Sequence, residues 1–362
     1  MFRSPSSGHK VFKELCKQDG NVGFSPFSLD IALSMTAAGV ALESKAMHEL
    51  KEFLGEEEKE KNKNTFKFLT SQKTPECCQM LIANSIWTKE GEEGGIKEDF
   101  VKEIKEVYNG DFLTFNDFTD INLWVQEKTK GEIKEILHQN PIDMVLLNVL
   151  YFQGNWLSKF DPAQTTDKLF KIVEPCRMMN AFSKKFKTGE TVYSEYVFLP
   201  YSGGNDDDDE NPSFWAMVVL PKKTMSDTVN DLFDSKEGVM KAFDSSGPEV
   251  MNFSMPVFEI ECGKSLKETL ENIDIKTIFT NGEMSRLSTA DTKVSDVFQK
   301  VVVKVDEKGT KASAVTAVMA TRGAAPKIPH FVVDRPFLFV VFEEETKSTL
   351  FSLKVETLKN RV

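Results

Sequence analysis

The sequence predicts an α+β fold without internal repeats, with clear helices early in the chain and strands later. Two observations predict it. Apolar residues recur at helical spacing mainly in the first third, whereas short runs of β-branched and aromatic residues follow from about residue 144. Several runs, such as 145–152, are apolar without alternation, which is typical of strands covered on both faces. The 362 residues, 40% hydrophobic with 29 phenylalanines, suffice for a large core.

Four helices can be placed from their apolar spacing and their end residues. In chain order they lie between Ser28 and Gly39, between Ser44 and Gly55, between Asp120 and Gly131, and from Ser265 onward. Serine and aspartate are good N-caps, and glycine commonly ends a helix. In the fourth helix, Ser265 and Glu268 have the spacing of a capping box.

Six strands are predicted between and after these helices. They span 144–152, 214–220, 257–262, 301–305, 337–342 and 350–355. The last two flank a polar turn suited to a hairpin. The run 206–210 is acidic at every position and predicts an elongated hairpin loop; it lacks the spaced ligands of a calcium loop.

The most informative segment is 307–326, which has the alternating pattern of a strand on one face and the composition of an exposed loop elsewhere. Alternate residues on one face are small and uncharged: Thr310, Ala312, Ala314 and Thr316. Gly309 can act as a hinge before them because glycine tolerates unusual backbone angles. The stretch 319–326 has no periodic apolar residue, so we expect an exposed tip that a protease can cut at Arg322.

Four blocks of the chain share a pattern with one known family. They are 21–28, 147–156, 307–318 and 330–339, and in this order they resemble the serpins, the serine protease inhibitors. The resemblance runs from about residue 10 to residue 355. It implies a single domain over 1–362, with three β-sheets, about nine helices and a hinge and reactive-centre loop at 307–326.

The resemblance also implies a mechanism in which the partner supplies the chemistry. A serine protease cuts the loop and forms an acyl-enzyme, and the loop then inserts into the main sheet as a new strand and traps the covalent complex. Family resemblance assigns the hinge to Glu307, Gly309, Thr310, Ala312, Ser313 and Ala314. It assigns the strand-opening region to Ser25, Ser28, Asn148 and Gln299, where Gln299 replaces a histidine that many members carry.

Two arguments place the reactive bond one residue apart. Family spacing counted from Glu307 puts it between Gly323 and Ala324. Side-chain chemistry puts it between Arg322 and Gly323, because arginine offers a charge and five donors to a buried carboxylate. We therefore expect a trypsin-like target, with an elastase-like or chymotrypsin-like protease as the alternative. A non-inhibitory serpin, acting as a carrier or chaperone, and an unrelated enzyme are the alternatives from other classes.

Charge and motif content weigh against several other functions. A formal net charge of −11 disfavours nucleic acids and membranes as partners, since both require clustered lysine and arginine. The clearest basic cluster is Lys184, Lys185 and Lys187, for which we expect a solvated face, with a polyanion site as the alternative. The four histidines lack metal-ligand spacing, and no nucleophile elbow or phosphate loop occurs. We expect no catalytic residue, metal or cofactor.

Cysteine content and the N-terminal segment bear on location. The five cysteines are few, scattered and odd in number, which does not fit a disulfide framework. The first eight residues lack the apolar run of a secretory signal. We expect a cytoplasmic monomer, with leaderless release from the cell as the alternative.

Overall fold

The computed structural model describes residues 7–55, 78–91, 95–141, 144–202, 212–234, 238–308 and 328–359. Within these residues the chain forms eight α-helices and fourteen strands. The helices are α1 (Ser7–Leu15), α2 (Pro26–Gly39), α3 (Lys45–Leu54), α4 (Glu98–Tyr108), α5 (Phe118–Lys128), α6 (Met225–Phe233), α7 (Gly238–Ser245) and α8 (Lys267–Asn272). The α+β class is confirmed.

The strands form two sheets. They are β1 (Val22–Phe24), β2 (Cys78–Lys89), β3 (Asp111–Phe115), β4 (Met144–Gly154), β5 (Thr166–Phe170), β6 (Glu174–Glu190), β7 (Ser194–Pro200), β8 (Phe214–Pro221), β9 (Gly247–Pro256), β10 (Phe258–Ser265), β11 (Val294–Val305), β12 (His330–Val332), β13 (Phe337–Glu343) and β14 (Ser348–Val355). One sheet has five strands in the order β10-β11-β4-β2-β3. The other has nine, in the order β1-β14-β13-β8-β7-β6-β9-β12 with β5 beside β6.

The five-stranded sheet is built around β4 and β11, which are parallel neighbours. Their register runs from Val294 opposite Met144 to Lys304 opposite Gln153, so the two strands are paired along almost their whole length. The first nine residues of β4 are all buried. This confirms the prediction of a strand covered on both faces: α2 packs on one side, and α5 with the segment 129–137 covers the other.

The family resemblance implies three sheets, whereas the described strands form two, because the long strand β6 pairs with β5 and β9 along most of its length and with β7 at its end. Strand β9, in turn, pairs in parallel with β12, which forms an edge of the sheet. The predicted hairpin between the last two strands is confirmed, since β13 and β14 are antiparallel neighbours.

Two predicted helix starts are wrong. Helix α2 begins after Ser25, whose hydroxyl oxygen accepts from the Ser28 N–H at 3.2 Å, so Ser25 and not Ser28 is the N-cap. The predicted capping box at Ser265 is absent from α8, which begins at Lys267: the N-cap is Leu266, and the Ser265 hydroxyl accepts from the Lys267 N–H at 3.3 Å rather than from Glu268. Ser265 instead ends β10 opposite Phe298, and its hydroxyl donates to Asp296 at 2.6 Å. The strand ladder therefore outweighs the local cap.

Other predicted elements agree with the structure or fall outside it. Ser44 caps α3, and Gly55, at φ 66°, ends it. Asp120, near which the third helix is predicted to start, is the third residue of α5; the N-cap is Asp117, and the two form a capping box. The strands on either side of the acidic run, β7 and β8, are antiparallel neighbours. The acidic run itself, at 206–210, lies outside the described residues.

Candidate strand-opening site

The four residues assigned to the strand-opening region lie together at the centre of the five-stranded sheet. Ser25 and Ser28 belong to the start of α2, Asn148 to β4 and Gln299 to β11. All four are buried. Because Gln299 lies directly opposite Asn148 in the ladder, their side chains meet beneath the seam between β4 and β11.

Gln299 uses both ends of its amide in this cluster. Its Oε1 accepts from the Ser25 N–H at 2.9 Å, and its Nε2 donates to the Ser25 carbonyl at 3.1 Å. The same Nε2 donates to Asn148 Oδ1 at 2.6 Å. The side chain thus joins the N-terminus of α2 to the seam.

Asn148 continues the network to a fifth residue, Asn84, which the sequence reasoning missed. Its Nδ2 donates to the Ser28 carbonyl at 3.0 Å, to the Ser28 hydroxyl and to Asn84 Oδ1. Asn84 lies on β2 directly opposite Asn148. Its amide interrupts the apolar run 80–83, which is the signal that could have identified it. We name these five residues, Ser25, Ser28, Asn84, Asn148 and Gln299, the strand-opening cluster.

A new strand between β4 and β11 would break specific bonds in this cluster. Neighbouring strands lie about 4.8 Å apart, so an inserted strand would double the separation of β4 from β11. The Asn148–Gln299 bond crosses the seam and would be lost, and α2 could stay bonded to only one side. The cluster can therefore hold the closed sheet together until a strand enters.

Residues 306–308 leave β11 toward the loop, and we name them the loop root. Other parts of the chain hold them at several points. The Trp156 N–H donates to the Lys308 carbonyl at 3.2 Å, and its indole N–H donates to the Asp306 carbonyl at 2.9 Å. Glu307 Oε1 accepts from Thr165 at 3.0 Å and from Arg177 at 2.5 Å. Trp156 is itself fixed by stacking on Tyr201, with ring centres 4.5 Å apart.

Two lysines of β11 reach the segment that covers the sheet. Lys304 pairs with Glu132 at 2.8 Å. Lys300 donates to the Glu135 carbonyl at 2.5 Å and pairs with Glu261 of β10 at 2.5 Å. Burial acts to lower the pKa of Lys304, but the Glu132 hydrogen bond and the nearby Tyr151 and Glu259 outweigh it, so its pKa lies above the usual value. Lys304 therefore stays charged at neutral pH.

Most of the predicted loop residues lie outside the described part of the chain. Of the hinge assignment only Glu307 is described; Gly309, Thr310, Ala312, Ser313 and Ala314 lie outside it, as do the reactive-bond residues Arg322, Gly323 and Ala324. Among the described residues, no group of three His, Cys, Asp or Glu side chains is placed to hold a metal ion. None of the described helices is long and apolar enough to span a bilayer.

Comparison with known families places this architecture. The family model for serpins, described as serine protease inhibitors, matches residues 6–357. A serpin-like protein of Thermococcus kodakarensis is 30% identical over 373 aligned positions, covering 94% of this chain and 82% of the relative. A leukocyte elastase inhibitor of Xenopus laevis is 27% identical and covers 94% of both chains.

A solved structure shares the fold. Arabidopsis AtSerpin1 in its native stressed conformation superposes with a TM-score of 0.83, covering 98% of this chain and 96% of the other. The sequence identity between the two is 22%. The arrangement of both sheets is therefore retained at low sequence similarity.

Proposed function

Because this chain belongs to the serpin family of serine protease inhibitors, we propose that it is an irreversible inhibitor that traps its target by loop cleavage and strand insertion. The protease would attack a bond in 309–327 and form an acyl-enzyme. The freed part of the loop would then enter between β4 and β11 and carry the attached protease with it. The observation that carries the proposal is the closed β4–β11 seam, whose strand β11 leads through residues 306–308 into the segment 309–327.

The topology gives a reason why cleavage would trigger insertion. The chain leaves β11 at the loop root and re-enters the described structure at Ile328, just before β12 in the other sheet. The intact loop is therefore fixed at both ends. A strand running from the loop root to the far end of the seam would need about ten residues at ~3.3 Å each. Cutting the loop frees the β11 side to travel that distance.

Strand pairing supplies the driving force. A chain that turns back at the end of β11 would run antiparallel to both β11 and β4. One parallel ladder would be replaced by two antiparallel ladders, and each residue pair in a parallel ladder is slightly less stable than in an antiparallel one. Each added backbone hydrogen bond contributes about 0.5–1.5 kcal/mol net. The uncleaved fold thus lacks stability that it can still gain.

The composition of the hinge favours inhibition over a carrier role. Alternate residues Thr310, Ala312 and Ala314 are small and uncharged, so one side of an inserted strand could enter a packed interior without a charge. Lys311 lies in the opposite register, which would face away from the core. A carrier would not need this pattern.

We propose Arg322–Gly323 as the reactive bond and a trypsin-like protease as the target. The guanidinium of Arg322 would pair with a carboxylate in the specificity pocket, whereas Gly323 offers a pocket almost nothing. The alternative bond, Gly323–Ala324, would suit an elastase-like or chymotrypsin-like enzyme through Thr321 and Met319.

The test is to incubate the protein with trypsin-like, chymotrypsin-like and elastase-like proteases. We expect a complex that survives denaturing electrophoresis, and Gly323 as the new N-terminal residue of the released fragment. Ala324 at that position would support the alternative bond. Cleavage without an adduct would indicate a non-inhibitory serpin, and resistance to every protease would contradict the proposal.

A hinge variant separates insertion from simple cleavage. In Thr310→Arg, a long charged side chain would have to enter the closed interior, so insertion should slow while attack on the reactive bond is unchanged. We expect the protease to turn the variant over as a substrate, with at least a tenfold rise in the number of inhibitor molecules cleaved per protease trapped. Lys311→Arg, in the outward register, is the matched control and should inhibit like the wild type.

We also propose that the protein acts as a monomer in a reducing compartment such as the cytoplasm. Cys16, Cys176 and Cys262 are free thiols in the described part of the chain. Disulfides persist in oxidising compartments, so free thiols suit a reducing one. Fractionation with light-scattering mass measurement tests both statements.

A further inference from the structure

Strands β5, β6, β9 and β12 have several exposed apolar side chains on their outer face. Phe182 is 52% exposed and Leu169 is 51% exposed, although both lie within strands. Together with Val332 they line a groove of about 440 Å³ that crosses β5, β6, β9 and β12. We name it the outer groove. Val250, 49% exposed, lies on β9 opposite Lys185 of β6.

The polar floor of the outer groove is already hydrogen-bonded. Asn180 Oδ1 accepts from the Ser254 hydroxyl at 2.7 Å, and its Nδ2 donates to the Gln164 carbonyl at 2.7 Å and to the Met178 carbonyl at 3.0 Å. A ligand would therefore gain mainly from the apolar walls. The groove suits an apolar side chain on a partner surface better than a polar small molecule.

A β-bulge holds Phe182 toward solvent. The register between β6 and β9 shifts between Ala181 and Lys184, and Ser183 has φ 53°, in the left-handed region. Bulges redirect side chains, and a residue with a side chain in this region costs of order 1 kcal/mol. A strained backbone that exposes an aromatic ring points to a contact surface rather than to packing.

The same bulge is bonded to the point where the loop rejoins the sheet. Asn252 Oδ1 accepts from the Ser183 N–H at 2.9 Å. The Asn252 backbone N–H donates to the Pro329 carbonyl at 2.9 Å, and its side chain contacts His330 Nε2 at 3.0 Å. Phe182 is therefore one strand away from the chain that emerges from 309–327.

Chain length brings the protease to this face. Four residues lie between Gly323 and Ile328, which makes five residue-to-residue steps, so the proposed reactive bond can stand at most about 17 Å from Ile328. A globular protease of about 200 residues has a radius of gyration of about 16 Å, so its diameter exceeds that span. The surface around the active site of the protease must then come close to strands β5, β6, β9 and β12, which form the outer groove.

From these observations we propose that the outer groove and Phe182 form a second contact surface for the target protease. The inference rests on the proposed function, because the protease must first hold the loop. The surface would take an apolar side chain from beside the protease active site. Lys168 at the groove and Lys185 beside Val250 are exposed, and the exposed Asp334 also lines the groove. An acidic border on the protease would match the two lysines and would have to lie away from Asp334.

The test measures the second-order rate constant of complex formation for Phe182→Ser, Leu169→Ser and the double variant. The partner is the trypsin-like protease with the highest wild-type rate constant in the adduct experiment. We expect the double variant to associate at least tenfold more slowly, with unchanged stoichiometry of inhibition and unchanged melting temperature. Leu42→Ser is the matched control, because Leu42 is 64% exposed and lies between α2 and α3.

The outcomes separate this inference from the proposed function. If the wild type forms the adduct and the double variant associates within twofold of the wild-type rate, the second contact surface is wrong and the proposed function stands. An equal fall in Leu42→Ser would overturn it in the same way. If the wild type forms no adduct with any protease, the proposed function fails first and this inference fails with it.

Discussion

Gln299 and Asn148 join two strands that must separate if a new strand enters the sheet. In the closed sheet every polar atom of the Gln299 amide has a protein partner. Family resemblance identifies a histidine as common at this position; here the glutamine amide reaches both the Ser25 backbone and Asn148. The side chain stabilises the closed sheet in proportion to how well these buried groups are paired.

We predict that Gln299→Ala destabilises the intact protein by about 2–4 kcal/mol, because the Ser25 backbone and Asn148 Oδ1 would be left buried without partners. Loss of the bond across the seam should also speed spontaneous strand insertion. Chemical unfolding and the decay of inhibitory activity on warming measure the two effects. Gln126→Ala on the exposed face of α5 is the control, and equal behaviour of the two variants would contradict the role given to Gln299.

A second prediction concerns two cysteines. Burial raises the pKa of Cys16 to about 12 and that of Cys262 to about 11. A thiol whose pKa lies above the pH is protonated, and only the thiolate is a good nucleophile. At pH 8 we expect a thiol reagent to modify at most three of the five cysteines rapidly in the folded protein, and all five after unfolding. Rapid modification of Cys16 or Cys262, read by mass spectrometry of peptides, would contradict this.

The residues of the site differ in how well the sequence predicts them. Ser25, Ser28, Asn148 and Gln299 were found through a family pattern, and the structure brings them into contact. Asn84 was missed because it belongs to the cluster only through the β2–β4 register, which pairs residues 64 positions apart. Arg177 was missed for the same reason, since its bond to Glu307 spans 130 positions. Such pairings depend on topology, which local patterns do not specify.

At the scale of elements, the segment 129–137 connects the two sides of the seam. It follows α5, which packs on β2 and β3, and it is held to β11 by Lys300 and Lys304. Ile133 and Leu137 anchor it in the apolar cluster that also contains Val149 of β4. Opening the seam would move β11 away from β4, so the segment 129–137 would have to shift or lose its contacts with one of the two strands.

We predict that Lys304→Met and Glu132→Gln each speed loop insertion modestly, and that the double variant is no faster than the faster single variant. The pair is about 30% exposed, so solvent screening limits its coupling to about 1 kcal/mol. A fluorophore in the hinge would report insertion during complex formation. Additive effects of the two substitutions would show that the ion pair does not hold the segment to β11.

Element boundaries followed the sequence where local signals were strong. The buried strand β4 and the capped helix α3 are examples. Helix α8 was misplaced because Ser265, a good cap by pattern, is used by the β10–β11 ladder. The long strand β6 was not predicted, since its residues are mixed in polarity and change partners along its length.

At the scale of the whole molecule, the proposed function requires a fold that is more stable after one bond is cut. An inserted strand of about ten residues would add on the order of 10 kcal/mol through its hydrogen bonds. For a chain of this size each kcal/mol raises the melting temperature by roughly 2 °C. We predict that the cleaved protein melts on the order of 20 °C above the intact one in calorimetry, and that Thr310→Arg reduces the difference. Equal melting temperatures would contradict strand insertion.

The position of β13 and β14 has a consequence for the fate of the cut polypeptide. β13 lies between β8 and β14, and both of its faces are buried. The C-terminal fragment produced by the cut would therefore stay hydrogen-bonded within the nine-stranded sheet. Severing the backbone at residue 322 or 323 would leave two polypeptides that migrate as one particle through a sizing column. They would part only under denaturant.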